Sequence, residues 1–124
     1  MTAPRQRLGA AGERLAADYL QRHGHRILER NVRTRAGEID LVTLDGSTLV
    51  LVEVKLRRPS GFGAAREALS PAKQRRLAAL ASAYAAAHPE LPPDVRIDLV
   101  AIELAANGAV GAIEHVVGAV DEPA

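Results

Sequence analysis

Residues 37–55 read GEIDLVTLDGSTLVLVEVK, and this stretch decides the fold. Two runs rich in valine and leucine, 39–44 and 49–56, flank the turn composition Asp-Gly-Ser-Thr, which is typical of a β-hairpin. Charged side chains lie at the ends of both runs farthest from the turn, and they are Glu38, Asp40, Glu53 and Lys55. Charges are costly to bury unless they are paired or bind an ion, so these four positions need a physical explanation.

The register of the hairpin decides whether these charges meet. Successive side chains of a strand alternate between faces, so Glu38 shares a face with Asp40, and Glu53 shares a face with Lys55. A four-residue loop places Asp40 opposite Glu53, with Cβ atoms about 4.5–5.5 Å apart. A two-residue turn leaves them diagonal, about 7–8 Å apart, on one face. A three-residue loop separates them onto opposite faces and leaves no site.

Two carboxylates held close together repel each other unless a cation lies between them. Mg²⁺ or Mn²⁺ is suitable, because these ions prefer oxygen ligands from carboxylates, water and phosphate. The ammonium of Lys55 can orient the attacking water, help to deprotonate it, or offset charge on a phosphate. The alternative is a solvated edge strand whose Glu53 and Lys55 are ordinary surface charges. Apolar residues on both faces ahead of Glu53 favour a central strand.

The other elements are predicted from periodicity and capping residues. An apolar helical stripe runs from Leu8 to Gly24, and Ser70-Pro71 begins a second helix that reaches about Ala87. Strands are predicted over 25–32, 39–44, 49–56, 95–104 and 110–117. The order α-β-β-β-α-β-β indicates an α/β fold in which helices flank one mixed sheet. We assign residues 1–7 to a flexible N-terminus, 8–118 to the domain and 119–124 to a C-terminal tail.

Composition narrows the class of protein. The 124 residues suit one domain, and the absence of cysteine excludes disulfides and thiolate chemistry. No apolar run approaches the roughly 18 residues of a membrane span. We therefore expect a soluble, cytoplasmic protein with no membrane partner.

The distribution of charge is more informative than the net value of +1. Residues 36–54 contain four acids and no base, whereas 1–35 contain eight arginines and 55–76 contain seven bases. If the basic stretches fold onto one side, they form a surface for a polyanion such as nucleic acid. Solvated surface arginines explain the charge pattern equally well.

At the charged residues of the hairpin the sequence resembles the PD-(D/E)XK nuclease superfamily, which has the restriction-endonuclease-like fold. It is most similar to the YraN-like family of small bacterial proteins classed as endonucleases, themselves similar to archaeal Holliday-junction resolvases. The resemblance covers residues 8–118 and is carried by Gly12-Glu13, Asn31, Gly37-Glu38-Ile39-Asp40, Val52-Glu53-Val54-Lys55-Leu56-Arg57, Lys73 and Arg96-Ile97-Asp98. The chain departs from the pattern at Leu51, where an aromatic residue is frequent, and lacks a proline before Asp40.

The resemblance implies roles for the acidic residues and the first lysine. It implies that Asp40 and Glu53 bind the metal ion and that Lys55 is the catalytic lysine. Glu13 resembles an extra acid that some members bring to the site, although an exposed helical glutamate has the same signature. Glu38 either supports the site or begins the strand.

The remaining polar residues have two interpretations each. Lys73 near the start of the second helix either binds a phosphate or extends along the edge of the core. Arg57 and Arg58 are expected to contact the nucleic-acid backbone. Asp98 either pairs with Arg96 or lies near the site. The four histidines lack zinc-type spacing and are assigned to the surface.

We therefore expect a Mg²⁺- or Mn²⁺-dependent endonuclease that hydrolyses phosphodiester bonds of nucleic acid, with DNA favoured over RNA and branched DNA among the substrates. The alternative is a non-catalytic nucleic-acid-binding module on the same fold. The presence of Asp40, Glu53 and Lys55 together favours the enzyme. A protein-interaction domain with incidental acids is least favoured, because the spacing is intact. Cutting both strands requires two sites, so a homodimer is expected.

Overall fold

The computed structural model describes residues 4–57 and 69–120, with side chains from Gly9 onward. In these residues two helices, α1 (Pro4–Arg22) and α2 (Pro71–Ala87), and five strands follow the predicted order α-β-β-β-α-β-β. The strands are β1 (His25–Thr34), β2 (Gly37–Asp45), β3 (Thr48–Arg57), β4 (Asp94–Leu104) and β5 (Val110–Val116). They form one sheet in the order β1-β2-β3-β4-β5, which confirms the predicted fold class.

Local sequence explains where the helices begin and end. The backbone N–H of Lys73 donates to the Ser70 side chain at 3.2 Å, which caps α2 as predicted. After α1, Gly24 adopts a φ of +93°, in the left-handed region that glycine tolerates. The first residue of α1 is Pro4, so the helix includes part of the predicted flexible N-terminus. Neither helix has the length and apolar character that a bilayer span requires.

The sheet carries a separate core on each face. Neighbouring strands are antiparallel except β3 and β4, which are parallel and are connected through α2. The core on the α1 face includes Ala16, Leu20, Leu41, Val50, Val52, Val100 and Ile102. The core on the α2 face includes Leu49, Leu51, Leu77, Leu80, Tyr84, Ile97 and Leu99. The strand β3 is therefore central, as its apolar residues on both faces predicted.

The packed domain continues beyond residue 118. Ala119 and Val120, which the sequence analysis assigned to the tail, are buried in the core on the α2 face. The backbone N–H of Ala119 also donates to the carbonyl oxygen of Ile97 at 2.8 Å. This bond ties the end of the described chain to the start of β4.

Candidate active site

The β2–β3 hairpin adopts a register that brings the predicted carboxylates together. Leu44 pairs with Leu49, as in the four-residue loop, although the turn itself tightens to residues 46 and 47. The ladder ends at the pair formed by residues 41 and 52, so Asp40 and Glu53 are the next residues on their strands. Both side chains line the same pocket.

Beyond this pair, the side chain of Asp40 takes the place of the backbone hydrogen bonds between β2 and β3. The backbone N–H of Val54 donates to Asp40 Oδ2 at 2.8 Å. From here β3 continues beside β4 as far as Arg57, whereas β2 remains paired with β1. The two strands therefore part at the carboxylates, and the hydrogen bond to Val54 fixes the orientation of Asp40.

Two further glutamates join Asp40. Carboxylate oxygens of Glu13, Glu38 and Asp40 lie within 4.8 Å of one another. Glu13 reaches the site from α1, next to Gly12, where an added Cβ would lie 3.0 Å from Leu56 Cδ2. Glycine at this position therefore lets α1 approach β3 closely. We call Glu13, Glu38, Asp40 and Glu53 the carboxylate cluster.

A cavity of about 340 Å³ opens beside the carboxylate cluster. One side of it is formed by α2, and the other by the start of β2. Gly37 in this wall has a φ of +143°, a conformation that side chains rarely adopt, and an added Cβ would lie 3.5 Å from Leu80 Cδ1. The lining residues are Ala36, Gly37, Glu38, Asp40, Glu53, Arg76 and Leu77.

Burial and repulsion by neighbouring carboxylates make the ionised forms of Asp40 and Glu13 unfavourable. Burial is the larger cause and the charge of Glu53 the next, and together they raise the pKa of Asp40 to about 7 against an opposing backbone hydrogen bond. Burial likewise raises the pKa of Glu13. A hydrogen bond with Asn31 acts to lower this pKa, and the negative charge of Glu38 acts to raise it further. A cation would relieve both. A donor set of carboxylates with room for water fits Mg²⁺ or Mn²⁺.

Two basic residues of α2 border the site. Lys73 Nζ lies 3.3 Å from Glu53 Oε1, and the two side chains are 22% and 15% exposed. Arg76 lines the cavity and was missed by the sequence analysis. It follows Lys73 by one turn on the same side of the helix, and this spacing would have identified it.

The other predicted basic residues lie along the end of β3. Lys55 shares a face of the strand with Glu53 and is half-buried. None of the ion pairs in the described residues involves Lys55. Arg57 is the last residue of β3 and is half-buried, whereas Arg58 lies outside the described residues.

Asp98 belongs to a second polar cluster. It pairs with Arg96, which was one of the two alternatives that the sequence left open. It is fully buried and accepts hydrogen bonds from Arg96 Nε at 2.8 Å, Arg96 Nη2 at 3.0 Å and His115 Nε2 at 2.8 Å. The backbone N–H of Gly118 adds a fourth at 3.0 Å. Burial acts to raise the pKa of Asp98, but the hydrogen bonds outweigh it and hold the pKa at about 2.

The prediction that all four histidines lie at the surface is wrong for His25 and His115. His25 is 6% exposed, its Nδ1 lies 2.8 Å from Thr43 Oγ1, and its ring lies 5.7 Å from that of His115. Ligand atoms of His25, Asp98 and His115 lie within 4.8 Å of one another, but Arg96 already balances the charge of Asp98 without an ion. An aspartate inside the apolar run IDLVAI was the available signal, because a buried carboxylate requires donors.

Comparison with known proteins identifies the family. Residues 12–102 match a family model described as "Uncharacterised protein family UPF0102". The matched range contains the whole carboxylate cluster and also Asp98. A UPF0102 protein of Symbiobacterium thermophilum is 52% identical over 103 residues, covering 83% of this chain and 87% of that protein. One from Roseiflexus castenholzii is 46% identical over 124 residues, covering 98% and 99%. One from Geobacter sulfurreducens is 45% identical over 112 residues, covering 90% and 87%. The chain therefore belongs to the uncharacterised protein family UPF0102, the YraN-like family of the sequence resemblance.

Proposed function

We propose that this protein is a metal-dependent endonuclease that hydrolyses phosphodiester bonds of nucleic acid. The observation that carries the proposal is the convergence of four carboxylates from α1, β2 and β3 beside one pocket. Uncompensated like charges destabilise a fold, so a purely structural cluster would be expected to contain its own cations, as the Asp98 cluster does. In the carboxylate cluster only Glu53 is paired with a cation among the described residues, the ammonium of Lys73, so the cluster suits a ligand that brings further positive charge.

The side chains have distinct proposed roles. Asp40 and Glu53 are the metal ligands, and Glu13 and Glu38 complete or support the ligand set. When bound, a divalent ion would stabilise charge on the reacting phosphate and favour deprotonation of the attacking water. Lys55 orients that nucleophile and offsets charge on the phosphate through its ammonium.

Basic residues around the acidic pocket support nucleic acid as the substrate. Lys73 and Arg76 border the pocket on α2, and Arg57 and Arg58 follow the site in the chain. Lysine and arginine contacts to phosphate position a nucleic acid without reading its bases. The preference for DNA, including branched DNA, rests on the resemblance to junction resolvases.

Cleavage assays test this proposal. Wild-type protein incubated with branched, single-stranded and duplex DNA and with RNA, in Mg²⁺ or Mn²⁺, should cleave at least one of them. Asp40→Asn and Lys55→Ala should each lower the rate by about 10²-fold or more. Asp40→Asn retains an oxygen that accepts the N–H of Val54, so it removes charge and keeps the hydrogen bond. Asp18→Asn is the matched control, because Asp18 is exposed on α1 away from the pocket.

A nucleic-acid-binding module without turnover is the second candidate, and the basic border of the pocket favours it equally. This candidate predicts that the wild type cleaves nothing and that Asp40→Asn and Lys55→Ala bind DNA as tightly as the wild type. Cleavage that disappears in both variants and persists in Asp18→Asn excludes it.

A homodimer is part of the proposal for substrates with two strands. The described part of one chain provides one carboxylate cluster, and cutting both strands of a junction requires two. Gel filtration that shows a monomer at every concentration would contradict the dimer and leave single-strand cleavage as the activity.

A further inference from the structure

Lys73 is the only basic residue that pairs with the carboxylate cluster within the described residues. Its Nζ lies 3.3 Å from Glu53 Oε1, and neither side chain is more than 22% exposed. The other ion pairs of the described chain involve Asp45 and Asp98, so Glu13, Glu38 and Asp40 take part in none. The cluster therefore has four carboxylates and one closely held ammonium.

This ammonium and a bound divalent ion would compete for the same carboxylate. Mg²⁺ binds carboxylate oxygens at about 2.0–2.1 Å. An ion at that distance from Glu53 would bring two positive charges to within a few ångströms of Lys73, where partial burial weakens screening. Glu53 therefore has two possible cationic partners that repel each other.

We propose that Lys73 is the resident counterion of Glu53 in the metal-free protein, and that a divalent ion displaces its ammonium toward the phosphate of the nucleic acid. The inference rests on the proposed nuclease function and adds that metal binding and phosphate binding are coupled through one side chain.

The position of Lys73 in α2 suits both states. Its backbone N–H is held by the Ser70 cap, so the side chain extends from a fixed point in the first turn of the helix. A lysine ammonium is a point charge on a flexible stem, and it can change partners without loss of hydrogen-bond geometry. The first turn of α2 contains no acidic residue, and the positive end of the helix dipole favours a phosphate nearby.

Calorimetric titration of Mn²⁺ into three methionine variants tests the competition. Lys73→Met removes the competing cation and should tighten Mn²⁺ binding by about 5- to 10-fold, the lower range for coupled ligands. Lys55→Met removes a nearby ammonium that forms no ion pair with Glu53, so it should tighten binding less. Arg75→Met removes the same charge from an exposed position of α2 and should leave the affinity within about twofold.

Thermal unfolding and DNA binding provide readouts that a simple electrostatic effect would not reproduce. Lys73→Met should lower the melting temperature of the metal-free protein, but not that of the Mn²⁺-saturated protein, because the ion has already replaced Lys73. The same variant should weaken binding of a labelled branched DNA in Ca²⁺, which shares the preference for oxygen ligands. Metal affinity and DNA affinity therefore change in opposite directions.

The failure of this inference is distinguishable from failure of the proposed function. If Lys73→Met and Arg75→Met change Mn²⁺ affinity equally, or if Lys73→Met is equally destabilised with and without Mn²⁺, Lys73 is not displaced and this inference alone is wrong. If wild type and Asp40→Asn bind Mn²⁺ equally weakly, the cluster is not a metal site and both are wrong.

Discussion

Asp40 and Asp98 are carboxylates of the same sheet with opposite surroundings. Asp98 accepts hydrogen bonds from Arg96, His115 and the backbone of Gly118, and its pKa lies at about 2. Within residues 4–57 and 69–120, Asp40 accepts one backbone hydrogen bond and faces three other carboxylates, and its pKa rises to about 7. Among the described residues, the charge of Asp98 has compensating donors and that of Asp40 has no cationic partner.

This difference separates a structural carboxylate from a candidate functional one. Burial acts to raise the pKa of both groups, so burial alone does not distinguish them. The neighbours decide: donors and cations stabilise Asp98 within the chain, whereas Asp40 would be stabilised by a cation from outside. Repulsion among the carboxylates destabilises the ligand-free fold. A ligand that supplies positive charge would relieve this repulsion, and the relief would add to its binding free energy.

The largest expected effect is the loss of the Asp98 network. Asp98→Ala leaves Arg96 and His115 without their main acceptor and should lower the free energy of unfolding by about 3–5 kcal/mol. Urea denaturation of the metal-free protein measures this change. A loss below about 1 kcal/mol, the value of a surface pair, would contradict the structural role of this cluster.

The response to Mn²⁺ should differ between the two clusters. Free Mn²⁺ at a hundredfold excess over its dissociation constant should stabilise the wild type by about 2.7 kcal/mol. Asp40→Asn should lose this response, whereas His115→Gln, at the compensated cluster, should retain it. Denaturation with and without Mn²⁺ measures both. An equal response in Asp40→Asn and wild type would place the ion elsewhere.

Removal of the Asp40 charge should stabilise the metal-free protein. Asp40→Asn keeps an acceptor for Val54 and removes the repulsion by the other carboxylates, so the free energy of unfolding at neutral pH should rise by about 1–2 kcal/mol. The expected gain opposes the expected loss of activity in the same variant. A destabilised Asp40→Asn would indicate that repulsion does not dominate this cluster.

The pH dependence sharpens the same comparison. The unfolded chain releases the Asp40 proton near pH 3.9, whereas the folded chain retains it to about pH 7. The contribution of Asp40 to stability therefore falls as the pH rises through this window, and the difference between Asp40→Asn and wild type should grow from about pH 4 to pH 7. Asp98 has the opposite sign: it stabilises above its unfolded pKa, and this is lost as the pH falls through about 2. Urea denaturation across this pH range tests both signs.

The smallest expected effect comes from Glu13, which joins the cluster from α1. Glu13→Gln should weaken Mn²⁺ binding by about 3- to 10-fold, or about 1 kcal/mol. Asp18→Asn removes the same charge from an exposed position of α1 and should bind Mn²⁺ as the wild type does. Equal affinities in the two variants would remove Glu13 from the ligand set.

Much of the fold was predictable because its signals are local. The Ser70-Pro71 cap, the left-handed glycine at position 24 and the alternation in 39–56 each depend on nearby residues. The sequence left three loop lengths open for the hairpin: a four-residue and a two-residue loop both keep Asp40 and Glu53 on one face, whereas a three-residue loop separates them. The pairing of Leu44 with Leu49 selected one of them.

The sequence by itself determined the order of the elements, the central position of β3 and the location of the acids at the ends of one hairpin farthest from its turn, because these follow from periods of two and of about 3.6 residues. The tertiary structure alone decided that Glu13 and Lys73 from two helices reach those acids, and that His25 and His115 surround Asp98. These contacts join residues far apart in the chain, and they depend on how each helix packs on its face of the sheet, which no local spacing encodes.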